Sequence, residues 1–223
     1  MHQRKSKIIL IYFFLLIIIA SISNNNLNNL KFDQIKNIEI FGLDKKNKNI
    51  LLNKIQNLKL GNIYSLNSNE IKKLIESNSL VERYKVFKKY PNKIEIKIQK
   101  TEFLAKINNN GKIFIIGSNG KLIPDNLEHN DLPFVFGKPN IIEFLKFKKV
   151  IDESKFSFQQ IDDLYFFPSK RWDLKLKNNT ILKLSNQFNL DTINNVYNFL
   201  EDYDGKQFNI VDARLENQII LNE

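Results

Sequence analysis

The chain has 223 residues, 43% of them hydrophobic and 26% charged, with a formal net charge of +10; that is enough apolar material for one or two ordinary cores and too much for a disordered chain. Cysteine is absent, and only two histidines occur, His2 in the N-terminal leader and His129 alone, so disulfides, thiol catalysis and multi-histidine metal centres have no material. The seven glycines form no phosphate-cradling GxGxxG or GxxxxGKS/T motif, and an enzyme is not the expectation.

The basic balance raises the question of nucleic acid. Asn, Lys and Ile are all in excess, a pattern of AT-rich coding that adds lysine without selecting a basic surface. Outside the leader no basic run exceeds two or three residues, and no RNP-like aromatic motif occurs, so nucleic acid is not an expected partner.

In chain order, Arg4, Lys5 and Lys7 precede an apolar run from Ile8 to Ala20 that continues weakly to Ile22, and no charge stands between Lys7 and Lys31. As a helix Ile8–Ile22 is about 23 Å long, short against a ~30 Å hydrocarbon core. One reading is a single-pass anchor, with residues 1–7 as cytoplasmic tail and 8–23 as transmembrane helix, basic end in the cytoplasm. The other is a secretory signal peptide with a small-residue site near Ala20–Ser23. The anchor is preferred, because the apolar run is long for a signal peptide. Either way the residues beyond about 24 lie outside the cytoplasm, and this exported part keeps a net charge of about +7, compatible with lying near anionic lipid heads.

Residues 24–35 read as a linker, with Asn24–Asn29 lacking any apolar period. A first strand, Ile38–Phe41, is closed by Gly42. Ile50, Leu51, Ile55 and Leu58 then stand at helical spacing and end before Gly61. Asn67 caps a second helix, with Glu70 placed to reach back and Ile71, Leu74 and Ile75 as its apolar stripe. A strand over Val81–Lys89 meets a turn at Tyr90-Pro91-Asn92-Lys93, where the proline suits a type I or II turn. The return strand alternates, with Ile94, Ile96 and Ile98 on one side and Glu95, Lys97 and Gln99 on the other. Residues 36–102 are thus a compact β-α-α-β-β module.

Residues 103–223 have another texture. Short strands are expected at Leu104–Ile107, Lys112–Ile116 and Lys121–Ile123, the last two joined by Gly117-Ser118-Asn119-Gly120. Pro124–Pro139 reads as loop, then a helix from about Ile141 to Glu153. A hairpin follows, Trp172, Leu174 and Leu176 alternating with polar residues before Asn178-Asn179 turns into Thr180–Leu184. A helix near Leu190–Tyr203, closed by Gly205, carries Leu190, Ile193, Tyr197 and Leu200 on one side. Phe208–Arg214 and Gln218–Leu221 are the last strands. The fold class is therefore α+β: an N-terminal single transmembrane helix, the β-α-α-β-β module, then a mostly antiparallel β domain with two helices. No internal repeat is visible.

The β-α-α-β-β order behind an anchor resembles a POTRA domain. Ile38–Gly42, Gly61-Asn62-Ile63, Val81, Val86, Tyr90-Pro91-Asn92, Ile94, Ile96, Ile98 and Ala105 are similar to the FtsQ/DivIB family of bacterial cell-division proteins. The second domain adds Gly120, Leu132-Pro133-Phe134-Val135-Phe136-Gly137, Arg171-Trp172-Asp173-Leu174 and Val211-Asp212-Ala213-Arg214 in family order. Lys100, Thr101 and Phe103 depart from the family's acidic-basic pair and proline, Gly117 replaces its Asp, and Asn179 replaces a turn Gly.

The resemblance implies a non-enzymatic divisome scaffold without a cofactor, held in the cell inner membrane as a single-pass type II protein with its bulk in the periplasm, at the division septum. It implies recruitment of FtsB and FtsL and support of septal peptidoglycan synthesis, with other division proteins meeting the POTRA domain and the transmembrane helix. Rival readings are a POTRA factor of outer-membrane protein assembly or secretion, for which no barrel-like strand repeat follows, and a periplasmic cell-wall enzyme.

Candidate chemistry is thin. Asp162-Asp163 and Asp202/Asp204 are pairs of carboxylates, but neighbours on a strand face apart and acids behind a helix are usually solvated. His129 reads as a surface residue, and Trp172 as a packing anchor beside Leu174 and Leu176. The last strand has no successor in sequence, so Gln218, Ile219, Ile220 and Leu221 are expected at a sheet edge bare of Pro and charge, able to accept an incoming strand. The family resemblance points to the same strands and the preceding helix, adding Tyr197 and Leu200, and to Arg214, which would pair with an acid of the partner. Leu215 stands where the family has an aromatic. The bland alternatives are an internal last strand and an Arg214 bonded to Asp212.

Overall fold

The computed structural model describes residues 3–22, 33–125, 131–202, 208–215 and 218–222. The linker Asn24–Asn29, His129 and the Asp204-Gly205 step lie outside the described residues. The first helix, α1 (Gln3–Ile22), has no amphipathic stripe. Each large apolar residue from Ile8 to Ile19 is at least 44% exposed, so no protein surface covers any of its faces. Among the described residues no helix is long and apolar enough to cross a membrane. The uncharged apolar stretch of α1, Ile8–Ile22, is about 23 Å long at 1.5 Å per residue, against a core of ~30 Å.

The first globular part follows the order read from the sequence: β1 (Asn37–Phe41), α2 (Lys45–Gln56), α3 (Ser68–Ser77), β2 (Val81–Lys89) and β3 (Lys93–Lys100). The sheet order is β1-β3-β2, with β1 parallel and β2 antiparallel to the central β3. Ile94, Ile96 and Ile98 of β3 point under the helices and pack with Leu51 and Ile55 of α2 and Ile71 and Ile75 of α3. Asn67 caps α3 by accepting from the Asn69 N–H at 3.1 Å. The complete reciprocal box stands elsewhere, at Asn140 and Glu143, where Asn140 Oδ1 accepts from Ile142 N and Glu143 Oε2 accepts from Asn140 N. The Tyr90–Pro91 peptide is cis where the sequence suggests a type I or II turn.

The second part is one nine-stranded sheet. It is built from β4 (Phe103–Asn109), β5 (Lys112–Gly117), β6 (Leu122–Pro124), β7 (Phe134–Phe136), β8 (Ile161–Phe166), β9 (Trp172–Leu176), β10 (Ile181–Leu184), β11 (Ile210–Ala213) and β12 (Ile220–Asn222). The spatial order is β12-β11-β10-β9-β8-β7-β4-β5-β6. Five neighbouring pairs are antiparallel, while β4–β7, β7–β8 and β10–β11 are parallel. β7 and β8 correct the sequence reading, which places a loop over the first and leaves the second unassigned. β7 is three residues long and pairs on both sides with parallel neighbours distant in sequence, which leaves no hairpin signal, whereas β8 forms an antiparallel hairpin with β9. Two helices, α4 (Ile141–Glu153) and α5 (Leu190–Asp202), bring Phe144, Phe147, Ile151, Ile193 and Val196 against Leu174, Leu182 and Val211. Trp172 is 3% exposed and stacks on Phe147 with centroids 4.6 Å apart, the packing anchor its alternation predicts.

The two parts meet through a small apolar cluster and a polar clamp. Leu80, ahead of β2, packs with Ile115 and Ile123 of the large sheet, flanked by Leu43, Phe103 and Leu132. Beside it Asn119, in the β5–β6 turn, donates through Nδ2 to Ser79 O and Val81 O, both at 2.9 Å, and accepts from Lys121 N at 2.9 Å.

Candidate partner-binding surface

The register of the large sheet puts β12 at its end. Val211 faces Leu221 and Asp212 faces Ile220 across the β11–β12 pair. Among the described residues no strand lies on the outer side of β12. Its backbone polar groups on that side are therefore open to water or to a partner strand. Ile220 is 52% and Leu221 38% exposed, so two apolar side chains stand on the open edge. The expected strand Gln218–Leu221 begins two residues later, at Ile220, and ends one residue later, at Asn222: Gln218 and Ile219 precede β12, and Ile219 packs against the core.

Between this edge and the first turns of α5 runs an open groove of about 690 Å³, lined among others by Arg214, Leu215, Gln218 and Ile219. Leu215 is 56% exposed on its rim. The other wall was not read from the sequence: Ser185, Asn189, Asp191, Thr192 and Asn195, amides, hydroxyls and one carboxylate around the start of α5. Asn189 Oδ1 accepts from both Thr192 N and Thr192 Oγ1, an N-terminal capping pattern that was the available signal.

Arg214 is held from the side. Its Nε donates to Asp212 Oδ1 at 2.8 Å, and its Nη2 donates to Asp212 Oδ2 at 2.5 Å. This bidentate bond lowers the Asp212 carboxyl below its ordinary range and raises the Arg214 guanidinium. The bland expectation for Arg214 is met, yet its side chain remains 41% accessible and lines the groove. Asp173, Lys183 and Asp212 stand side by side across β9, β10 and β11. Asp173 is 6% exposed; burial pushes its carboxyl up, while Arg171, Lys183 and Arg214 pull it down.

Tyr197 and Leu200 do not join this surface. The Tyr197 ring meets Phe156 edge-on at 6.1 Å and its hydroxyl donates to Glu201 Oε1 at 3.0 Å. Both residues pack against the core rather than line the groove. Helical periodicity locates an apolar stripe but cannot say whether neighbouring strands will cover it. Of the carboxylates considered for catalysis, Asp162 and Asp163 are salt-bridged: Lys175 Nζ lies 2.9 Å from Asp162 and 3.5 Å from Asp163. Among the described residues no cluster of three or more acids and histidines is placed to hold a metal ion.

Residues 34–100 match the family model described as POTRA domain, FtsQ-type. Over 116 residues the chain is 26% identical to the cell division protein DivIB of Bacillus subtilis (strain 168), a stretch that is 51% of this chain and 44% of that protein. The chain carries an FtsQ-type POTRA domain, and its sequence matches support a place in the FtsQ/DivIB family. The DivIB match is to a cell-division protein, and the chain spans less than half the length of this curated relative. The extracytoplasmic domain of DivIB from Geobacillus stearothermophilus superposes with a TM-score of 0.36 at 12% identity, over 48% of this chain and 99% of that one. The assignment rests on the sequence matches.

Proposed function

We propose that this FtsQ/DivIB-type protein is a non-enzymatic scaffold of the division machinery, held in the membrane by α1, that gathers FtsB and FtsL outside the cytoplasm through the open edge of its large sheet. The observation that carries the reading is β12, the end strand of the sheet, with no described strand on its outer side and two exposed apolar side chains. An incoming strand would bond to the β12 backbone and set apolar side chains against Ile220 and Leu221, while the groove behind it would take the rest of the partner. Arg214 would then exchange all or part of its bond to Asp212 for an acid of the partner. Membrane attachment is supported by Arg4, Lys5 and Lys7 ahead of the fully apolar run, with the basic end on the cytoplasmic side. An apolar run of about 23 Å can be accommodated by local bilayer thinning and by lysines reaching to the headgroups.

The test is capture of FtsB and FtsL by the full chain and by two variants. Arg214→Glu and Ile220→Pro each abolish capture while circular dichroism stays that of the native chain. Unchanged capture by both variants, folded, moves the partner site off this edge.

A further inference from the structure

We infer that the strand-turn end of the POTRA domain seats on the anionic lipid headgroups of the bilayer that holds α1. The inference takes from the preceding reading only the membrane anchor. Its first support is a charge asymmetry. Residues 34–100 carry fifteen Lys or Arg against six Asp or Glu, net +9, whereas residues 101–223 carry fifteen against seventeen, net −2. A coding bias acts on the whole chain and would load both domains alike. The basic excess is concentrated in the domain that follows the apolar helix.

The second support is where the chain arrives. Gln34 bridges to Asn62, the Ile35 N–H donates to Gly61 O at 3.0 Å, and the Lys36 N–H donates to Asn92 O at 3.0 Å. The chain therefore joins the domain at the end formed by the β2–β3 turn and the loop before α3. From Ile22 to Asp33 a polypeptide reaches at most about 40 Å, which ties this end to the neighbourhood of the bilayer. The opposite end of β2 is about 26 Å further away along the strand.

The third support is what that end carries. Tyr64 and Tyr90 are 56% and 62% exposed and lie ring against ring, centroids 5.1 Å apart. A pair of exposed tyrosines beside lysines matches the headgroup layer, where an apolar ring and a polar hydroxyl are both satisfied. Lys36, Lys59, Lys88, Lys89 and Lys93 surround the pair along the chain. The acids there are Asp33, Glu39 and Glu95, and each lies within 4.0 Å of one of these lysines: Lys36, Lys93 and Lys89 respectively. Lys59 and Lys88 add to the positive side, and the +9 domain behind them supplies the longer-range field, screened over about 8–10 Å at physiological salt.

The test uses the full chain in vesicles of phosphatidylcholine alone or with 30% phosphatidylglycerol. The chain has no cysteine, so Asn92→Cys at the turn and Ser77→Cys at the far end each take one polarity-sensitive dye. In the anionic vesicles the dye at 92 moves to a less polar environment and is quenched by lipid-borne quenchers, while the dye at 77 is not. The signal at 92 vanishes in phosphatidylcholine alone and above about 0.5 M salt. Lys89→Gln with Lys93→Gln cuts the seated fraction about 25-fold, about fivefold per cation, with the urea midpoint of the domain unchanged. Equal signals at 92 in both lipids, or equal signals at 92 and 77, overturn the inference. So does a dye at 92 that responds only to soluble polyphosphate added outside the vesicles. Flotation of the chain with vesicles in high salt reports α1 separately. Flotation with a silent position 92 refutes the headgroup contact, and loss of flotation with the position 92 signal kept refutes the anchor.

Discussion

Replacing Asn119 by alanine should loosen the joint between the two globular parts of the chain, by an amount that follows from the bonds it makes. Its side chain donates twice, to Ser79 O and Val81 O, and accepts once, from Lys121 N, all at 2.9 Å. At about 1 kcal/mol net per bond the loss is about 3 kcal/mol. Asn119 is only half-buried, so water replaces part of this and the expected cost is about 1.5–3 kcal/mol. The assay is urea unfolding read two ways. Fluorescence of the single tryptophan, Trp172, reports the large sheet alone, and far-ultraviolet circular dichroism reports both parts. In the native chain the two curves coincide. In Asn119→Ala the dichroism acquires an earlier phase from the POTRA domain, which has lost its clamp. Leu80→Ala, which empties the apolar half of the joint (9% exposed, against Ile115 and Ile123), gives the same separation at about 2–4 kcal/mol. Coincident curves with an unchanged midpoint in both variants would refute the view that this contact couples the domains.

Gly42→Ala places a Cβ 1.7 Å from Ile98 O on backbone already at φ +95°, so β1 must part from β3; the expected cost is at least about 3 kcal/mol, read as a lowered urea midpoint of the POTRA transition. Phe147→Ala removes a side chain that is 1% exposed and stacked on Trp172, and should cost about 3–5 kcal/mol with a red-shifted tryptophan emission. The Asp212 carboxyl is held below the ordinary carboxylate value of 3.8 chiefly by its bond to Arg214, so its contribution to stability is present above about pH 4 and is lost as pH falls through the lowered folded value. Melting of Asp212→Asn between pH 5 and 2 should accordingly show a shallower acid slope than the native chain.

Much of the POTRA domain was legible in the sequence because its signals are local. Ile94, Ile96 and Ile98 alternate at the strand period, Ile71, Leu74 and Ile75 recur at the helix period, and Asn67 sits where a cap belongs. The same holds for the Trp172–Leu184 hairpin. What tertiary structure alone decided is non-local. β7 exists as a strand because parallel partners far away in sequence complete its hydrogen bonds, and β10 and β11 lie side by side only because α5 crosses over between them. Asp173 alternates like a solvated strand residue, and only the packing of the sheet buries it. Tyr197 and Leu200 look like an available helical stripe until Phe156 and the core cover them, whereas the polar start of α5 becomes a groove wall because Arg214 and Gln218 fold back opposite it. A residue's period along the chain is set by its own backbone; which face remains open is set by what the rest of the chain lays against it.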